Sequence, residues 1–302
     1  MELRNLGASG LRTPLVGLGC NGFADREKSA AVFAAALDAG VTFFDTADIY
    51  GGAGGVSEQI LGELVSGRRD EVILATKCGF LPDGTYRRMG ASRRYIQQAV
   101  EASLRRLRTD HIDLYQIHTP DPLTPIEETL EALDDLVRQG KVLYVGASNY
   151  AAWQLVDAHW TARTRGLAKF VSTQCEYNLL SRSAETEVLP AIAACGVGLL
   201  PYFPLASGLL SGGYRNGPPK RSGPAAQLLT DVNIAKAEAL AVFAASRGRT
   251  PVELAMSWLA SNANVSCIIA GASRPEQVAE NARAATWHLT PEDLAEIDRL
   301  SL

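Results

Sequence analysis

The sequence lacks the features of several protein classes, beginning with those of metal-binding and secreted proteins. Its five cysteines include no CxxC pair and no metal-ligand spacing. An odd number of scattered cysteines is typical of free thiols, which stay reduced in the cytoplasm. We therefore predict no metal site and a cytoplasmic location.

Charge of one sign and long apolar runs are also scarce. The formal net charge is −4, with acidic and basic residues interspersed, and no basic tract suggests a nucleic acid or a membrane surface as a partner. No apolar run approaches the roughly 20 residues that span a bilayer. We therefore expect neither kind of partner, while the composition leaves the oligomeric state open.

Strand-like and helix-like patterns alternate along most of the chain. Its 302 residues, 47% of them hydrophobic, suffice for one α/β barrel or two ordinary domains. The alternation favours parallel strands joined by helices, and no linker interrupts it. We predict a single domain over residues 1–302, an α/β fold of the TIM (β/α)8 barrel type. An N-terminal β-hairpin around residues 7–10 and extra C-terminal helices at 231–247 and 291–300 complete the prediction, and Ser57 is expected to cap the helix that ends at residue 64.

Three successive predicted strands each end in an ionisable side chain. These are Asp45, Lys77 and His118, and Tyr50 follows the first strand in a glycine-rich loop. Taken singly, each has an ordinary explanation as a helix cap, a solvated charge or a loop anchor. The carboxyl ends of barrel strands meet on one rim, so the four should lie together. Their combination favours catalysis.

The chemistry of this group is that of proton donation to a carbonyl. A free phenol has a pKa of about 10 and is a poor acid at neutral pH. An ammonium beside it, here Lys77, is expected to lower the pKa of Tyr50, so that the phenol can protonate a carbonyl oxygen while a hydride arrives from elsewhere. Asp45 would hold Lys77 in place, and His118 would orient the carbonyl.

Three segments, at residues 44–51, 75–77 and 113–118, resemble the signature of the aldo-keto reductases. They read Phe-Asp-Thr-Ala-Asp-Ile-Tyr-Gly, Ala-Thr-Lys and Asp-Leu-Tyr-Gln-Ile-His. The resemblance implies an oxidoreductase with Tyr50, Lys77, Asp45 and His118 as its catalytic residues. It further implies an aldehyde or ketone substrate and NADP(H) as cofactor, with NAD(H) as an alternative.

A nicotinamide cofactor needs a binding surface, and we expect groups at the strand ends rather than a Rossmann site. Ser148, Asn149 and Gln174 resemble the family's nicotinamide-binding residues, although Ser148 and Asn149 also suit a helix cap. Tyr202 matches the family's stacking aromatic, or is a core residue. The predicted cofactor residues are Gly19, Cys20, Asn21, Asp45, Ser148, Asn149, Gln174, Tyr202, Phe203, Pro204, Leu205, Ala206, Gly208, Gly271, Ser273, Arg274, Gln277, Glu280 and Asn281.

The segment after the last strand resembles the family's site for the adenosine 2′-phosphate. A helix beginning at Pro275, preceded by Ser273 and Arg274, suits a phosphate. Many members have lysine in place of Gly271 and arginine in place of Gln277. We expect Ser273 and Arg274 to substitute for them, which favours NADP over NAD.

The substrate pocket is the least determined part. Residues 78–89 are expected to form one wall, with Phe23, Ile49, Tyr50, Trp153 and the 207–230 loop as further candidates. Arg87 and Arg88 suit either an anionic substrate or solvent. Two other functions stay open: a redox-sensing NADP-binding subunit resembling the potassium-channel β-subunits, and an isomerase or lyase that uses Lys77 as a Schiff-base amine.

Overall fold

Eight parallel strands form a closed barrel in the computed structural model, which describes residues 1–52, 54–80, 90–212 and 228–302. Each barrel strand pairs with its neighbours in chain order, and the last pairs with the first. The predicted TIM (β/α)8 barrel is confirmed. The barrel strands are β3 (Val16–Gly19), β4 (Phe43–Asp45), β5 (Ile73–Cys78), β6 (Ile112–Ile117), β7 (Val142–Ser148), β8 (Phe170–Glu176), β9 (Gly198–Tyr202) and β10 (Ile268–Gly271).

Helices connect the strands and cover the outer face of the barrel. Side-chain caps fix several of their first turns: the Ser92 hydroxyl accepts from the Tyr95 amide, and Thr250 and Thr290 form capping boxes. The extra C-terminal helices predicted from the sequence are α7 and α10. The helices are α1 (Arg26–Asp38), α2 (Val56–Leu64), α3 (Arg93–Leu107), α4 (Ile126–Arg138), α5 (Ala152–Arg165), α6 (Val188–Cys195), α7 (Asp231–Ser246), α8 (Pro251–Ser261), α9 (Pro275–Ala284) and α10 (Pro291–Ser301).

The predicted N-terminal hairpin closes the barrel floor. Strands β1 (Leu3–Asn5) and β2 (Arg12–Pro14) pair antiparallel, and between them Leu6 is fully buried in the apolar interior of the barrel. Gly7 has a φ of +55°, and a Cβ there would lie 2.5 Å from the carbonyl oxygen of Val171. Only glycine allows the hairpin to approach this closely.

Three glycines at the start of the barrel, Gly17, Gly19 and Gly22, stand in GxGxxG spacing, although we expected no Rossmann site. The closed barrel gives this spacing another explanation. A Cβ at Gly17 would lie 2.8 Å from the Cys267 sulfur and 3.0 Å from the Phe43 ring. The glycine thus serves close packing inside the barrel.

Other local predictions differ from the structure. Helix α2 begins one residue before Ser57, after a left-handed Gly55, so Ser57 is not the cap. Its hydroxyl instead donates to the carbonyl of Cys20 and shares a hydrogen bond with the hydroxyl of Thr46. It therefore ties α2 to the two loops beside the first strand ends. Within the described residues, no helix is both long and apolar enough to cross a membrane.

Candidate active site

Lys77 lies at the centre of the rim formed by the strand ends. Its side chain is fully buried, and Nζ donates to the Asp45 carboxylate at 2.6 Å and to the carbonyl of Thr46 at 2.9 Å. The Nζ atom also lies 3.4 Å from the hydroxyl of Tyr50. Three oxygens thus surround the ammonium, and one belongs to the phenol that sequence analysis paired with it.

The charge of Lys77 persists despite its burial. Burial alone lowers the pKa of a lysine, but the carboxylate of Asp45 and then the oxygen of Tyr50 outweigh it, so the pKa of Lys77 is raised. The amine is therefore protonated throughout the neutral range. A protonated, ion-paired amine is not a nucleophile, which opposes the Schiff-base hypothesis.

The second carboxylate oxygen of Asp45 has two partners of a different kind. Gln116 and Gln174 both donate their side-chain amides to Oδ1, at 3.1 and 3.0 Å. Gln174 had been predicted only as a cofactor residue, and Gln116 had not been predicted at all. The available signal was strand periodicity, because Gln116 lies on β6 two residues before His118, which directly follows that strand, and alternate residues of extended backbone face the same side.

Tyr50 lies at the end of a tight turn, where its amide donates to the carbonyl of Ala47. The phenol was expected to have a lowered pKa, and this prediction is wrong in direction. Burial raises the pKa of Tyr50, and Lys77, which lowers it, offsets this only in part, because Asp45 also raises it. The phenol is thus protonated at neutral pH.

His118 stands beside the phenol. The two rings make an edge-to-face contact with centroids 5.7 Å apart, and Phe80 lies 4.9 Å from His118 on another side. Burial and the charge of Lys77 lower the pKa of His118 to about 3, so the imidazole is neutral. Its Nδ1 is buried and has no hydrogen-bond partner in the described parts of the chain.

The predicted nicotinamide residues form one network across the strand ends. Asn149 donates to the hydroxyl of Ser148 and to the carbonyl of His118, both at 3.0 Å. Its own side-chain oxygen accepts from the Tyr202 hydroxyl at 3.0 Å, and its backbone amide donates to the carbonyl of Gln174. Asn149 therefore joins four strand ends, and its side chain is occupied within the protein.

Unusual backbone conformations concentrate on the predicted cofactor surface. Five non-glycine residues in the described chain have positive φ, and four of them lie at the ends of β7 and β9. These four are Asn149, Phe203, Ala206 and Ser207. Left-handed non-glycine residues cost of order 1–3 kcal/mol each and collect at ligand sites. Pro204 and Leu205 lead from Phe203 into a 3-10 helix, Ala206–Ser211, which contains Gly208.

The predicted phosphate segment is open to solvent. Gly271, Ser273, Arg274 and Glu280 are exposed, whereas Asn281 is buried and donates to the carbonyl of Gly271 at 3.4 Å. The side-chain oxygen of Gln277 accepts from the amide and hydroxyl of Ser273. Gln277, Glu280 and Asn281 lie in α9, whose Ncap is Arg274. Gly271 ends β10, and Ser273 precedes the helix.

The opposite edge of the predicted surface is the turn after β3. Cys20 donates its backbone amide to the carbonyl of Asp45, and its thiol is buried, which raises its pKa well above the ordinary value. Gly19 is half-buried and Asn21 is exposed. The carbonyl of Cys20 accepts from Ser57, so both backbone groups of Cys20 have partners within the protein. Among the described residues, no group of His, Cys, Asp and Glu could hold a metal ion.

The predicted substrate-pocket residues differ in how exposed they are. Phe23 is buried in the core between barrel and helices, so it is not a pocket wall. Trp153 is 67% exposed, and Ile49 is half-buried. Phe80 was not singled out, yet its ring contacts His118. Arg87, Arg88 and most of the predicted 78–89 wall, like residues 213–227 of the predicted loop, lie outside the described residues.

Comparison with known proteins agrees with this architecture. The model of the aldo/keto reductase family matches residues 15–302. An uncharacterized oxidoreductase of Bacillus subtilis (strain 168), YrpG, is 37% identical, covering 97% of this chain and 94% of that protein.

Two further relatives carry different names. A probable voltage-gated potassium channel subunit beta of Oryza sativa subsp. japonica is 36% identical over 99% of this chain and 96% of its own length. L-glyceraldehyde 3-phosphate reductase of Escherichia coli (strain K12) is 35% identical over 99% of this chain and 92% of its own length. The barrel, the strand-end cluster and these matches lead to one conclusion: the chain belongs to the aldo/keto reductase family and is an oxidoreductase.

Proposed function

We propose that the protein is an NADPH-dependent reductase of aldehydes or ketones in which Tyr50 donates a proton to the carbonyl oxygen. One observation carries the proposal: the ammonium of Lys77, held by Asp45 at 2.6 Å, lies 3.4 Å from the Tyr50 hydroxyl. No other tyrosine in the described chain shares a hydrogen bond with a lysine.

The raised pKa of Tyr50 is compatible with this role. A reductase needs the protonated phenol, and burial keeps it protonated at neutral pH. The proton acceptor is an alkoxide forming at the carbonyl oxygen, which is a much stronger base than a phenolate. Lys77 then stabilises the phenolate that remains, and this stabilisation is strongest in a buried site.

His118 supplies a second hydrogen bond to the carbonyl oxygen in this proposal. The imidazole is neutral and carries one proton. Since Nδ1 has no acceptor in the described residues, the favoured tautomer has its proton on Nε2. An Nε2–H group can donate to the substrate oxygen, and it leaves Tyr50 as the proton source.

The cofactor surface fits a nicotinamide dinucleotide, which supplies the hydride when bound. Gln174 uses its amide nitrogen for Asp45, and no described residue donates to its Oε1, which leaves that oxygen for a carboxamide. The half-buried ring of Tyr202 offers a stacking face, and the left-handed residues Phe203, Ala206 and Ser207 turn the backbone as anion-binding loops do. Arg274 supplies a cation for a 2′-phosphate.

Steady-state turnover tests this function. Purified protein mixed with NADPH and a panel of aldehydes and ketones should show a continuous loss of NADPH absorbance with at least one of them. Binding of NADPH without turnover on any carbonyl compound would instead favour a sensor, the role that the name of the rice relative supports. Borohydride trapping on Lys77 would favour the Schiff-base alternative.

Arg274→Ala tests the cofactor preference. The guanidinium is exposed at the start of α9, and hydrogen bonds to charged groups contribute about 1.5–3 kcal/mol. We expect the dissociation constant of NADPH to rise about tenfold or more, with little change for NADH, in fluorescence titrations. Arg283→Ala, at the other end of α9, is the matched control. Equal weakening of both cofactors would remove Arg274 from the 2′-phosphate site.

A further inference from the structure

Asp45 is held from two sides by groups of different charge. Its side chain is almost fully buried; Oδ2 accepts from the Lys77 ammonium, and Oδ1 accepts from the amides of Gln116 and Gln174. Two neutral donors on one buried carboxylate oxygen satisfy its lone pairs without adding a second positive charge. The single positive charge of Lys77 is thereby left beside Tyr50.

Gln116 makes few other polar contacts in the described chain. Its side chain is fully buried, and its Oε1 has no hydrogen-bond partner in the described residues. An unpaired buried amide oxygen costs free energy, so an apolar side chain of the same shape would suit pure packing better. The bond to Asp45 is its one side-chain hydrogen bond in the described chain.

The barrel register holds Gln116 in that orientation. On β6 it pairs directly with Lys77 of β5 and with Gly146 of β7. A Cβ at Gly146 would lie 3.2 Å from the Gln116 side chain and 2.5 Å from the hydroxyl of Ser172. Glycine at this position therefore makes the space in which Gln116 extends toward Asp45.

We propose that Gln116 is a positioning residue which, together with Gln174, fixes the rotation of the Asp45 carboxylate and so keeps the Lys77 ammonium at the Tyr50 hydroxyl. The inference rests on the proposed carbonyl reduction. The two glutamines have different surroundings in this proposal, because Gln174 also faces the expected nicotinamide, whereas Gln116 is fully buried beside Lys77.

Gln116→Met tests this role because methionine keeps the shape and removes the donor. We expect kcat for carbonyl reduction to fall about tenfold, since a charge-assisted hydrogen bond is lost. KM for NADPH and the melting temperature should stay close to those of the wild type. A side chain with only a packing role would give the opposite result: unchanged kcat, or loss of activity in proportion to loss of folded protein.

Gln116→Glu supplies a second signature with a characteristic pH dependence. At low pH the protonated glutamic acid donates its O–H to Asp45 and replaces the amide; as pH rises, it ionises and places a second carboxylate beside Asp45. The ratio of its kcat to that of the wild type should therefore fall with rising pH, while the ratio for Gln116→Met stays flat. Parallel profiles for the two variants would overturn the proposal.

Two further measurements separate this proposal from the proposed function. Ser172→Ala, which removes a buried hydroxyl without a partner in the described residues, is the matched control and should keep the wild-type kcat. A crystal structure of Gln116→Met should show the Asp45 carboxylate or the Lys77 amine displaced by more than about 0.5 Å. If neither group moved, the positioning role would be rejected, whether or not the wild type reduces a carbonyl compound. If the groups moved but the wild type reduced no carbonyl compound, only the proposed function would be rejected.

Discussion

Replacing Tyr50 with phenylalanine is expected to lower kcat for carbonyl reduction at least about a hundredfold, since general acid catalysis contributes about 10²–10⁴. The substitution removes only the hydroxyl that lies 3.4 Å from Lys77. The ring and its contact with His118 remain, so the dissociation constant of NADPH should be nearly unchanged. Steady-state kinetics and a fluorescence titration measure the two quantities separately.

Tyr144→Phe is the matched control for this substitution. Tyr144 packs against the apolar interior near the hairpin at the floor of the barrel, far from the strand-end rim. Its variant should keep the wild-type kcat. If Tyr50→Phe retained most of its rate, the proton would have to come from another group, and the proposed mechanism would be wrong.

Replacing Lys77 with methionine should affect both chemistry and folding. It leaves the buried Asp45 carboxylate without its cation, and breaking a buried ion pair costs about 3–5 kcal/mol. It also removes the charge that stabilises the Tyr50 phenolate, so kcat should fall at least about a hundredfold. Because the pKa of Lys77 is raised in the folded state, the pair stabilises the fold fully at neutral pH and is lost as pH rises beyond the lysine range.

A double variant separates these two effects. Asp45→Asn in the Lys77→Met background removes the unpaired charge, so most of the lost unfolding free energy should return in denaturant titrations while activity stays absent. Lys28→Met is the control, because Lys28 is 79% exposed and lies 3.8 Å from Asp25. Such surface pairs contribute at most about 1 kcal/mol. A Lys77→Met protein with wild-type stability would show that the pair does not stabilise the fold.

The positions of the strand-end groups were predictable because they follow from two periodicities. Alternating strand and helix patterns predicted a barrel, and a barrel brings the carboxyl ends of its strands together. Asp45, Lys77 and Tyr50, separated by up to 32 residues, therefore meet as expected. Their roles in catalysis stay a prediction that the substitutions above will test.

The direction of the Tyr50 pKa was not predictable in the same way. The sequence places an ammonium near a phenol, but it does not state how much water the phenol loses on folding. Desolvation depends on every neighbour in three dimensions, and here it exceeds the effect of Lys77. A motif thus identifies the neighbours of a titratable group more readily than it predicts whether burial or a neighbouring charge has the larger effect on the pKa of that group.

Gln116 was missed for a related reason. In the sequence it is, with Asp113, a polar residue of a mostly apolar strand, and glutamine has no distinctive chemistry of its own. Its meaning depends on register, which places it beside Lys77, and on Gly146, which leaves room for it. The backbone conformation at residues 203–207 was not predictable either. The amino acids at these positions do not indicate that three non-glycine residues have left-handed φ values.

The hairpin that closes the barrel floor has a consequence for handling the enzyme. The first residues lie at the end of the molecule opposite the strand-end rim, because Met1 packs near Gly40, just ahead of the strand β4. A fusion partner or a solid support attached at the amino terminus would leave the strand-end rim accessible to solvent. Deletion of the chain through Leu6, by contrast, would expose the apolar residues inside the barrel and promote aggregation.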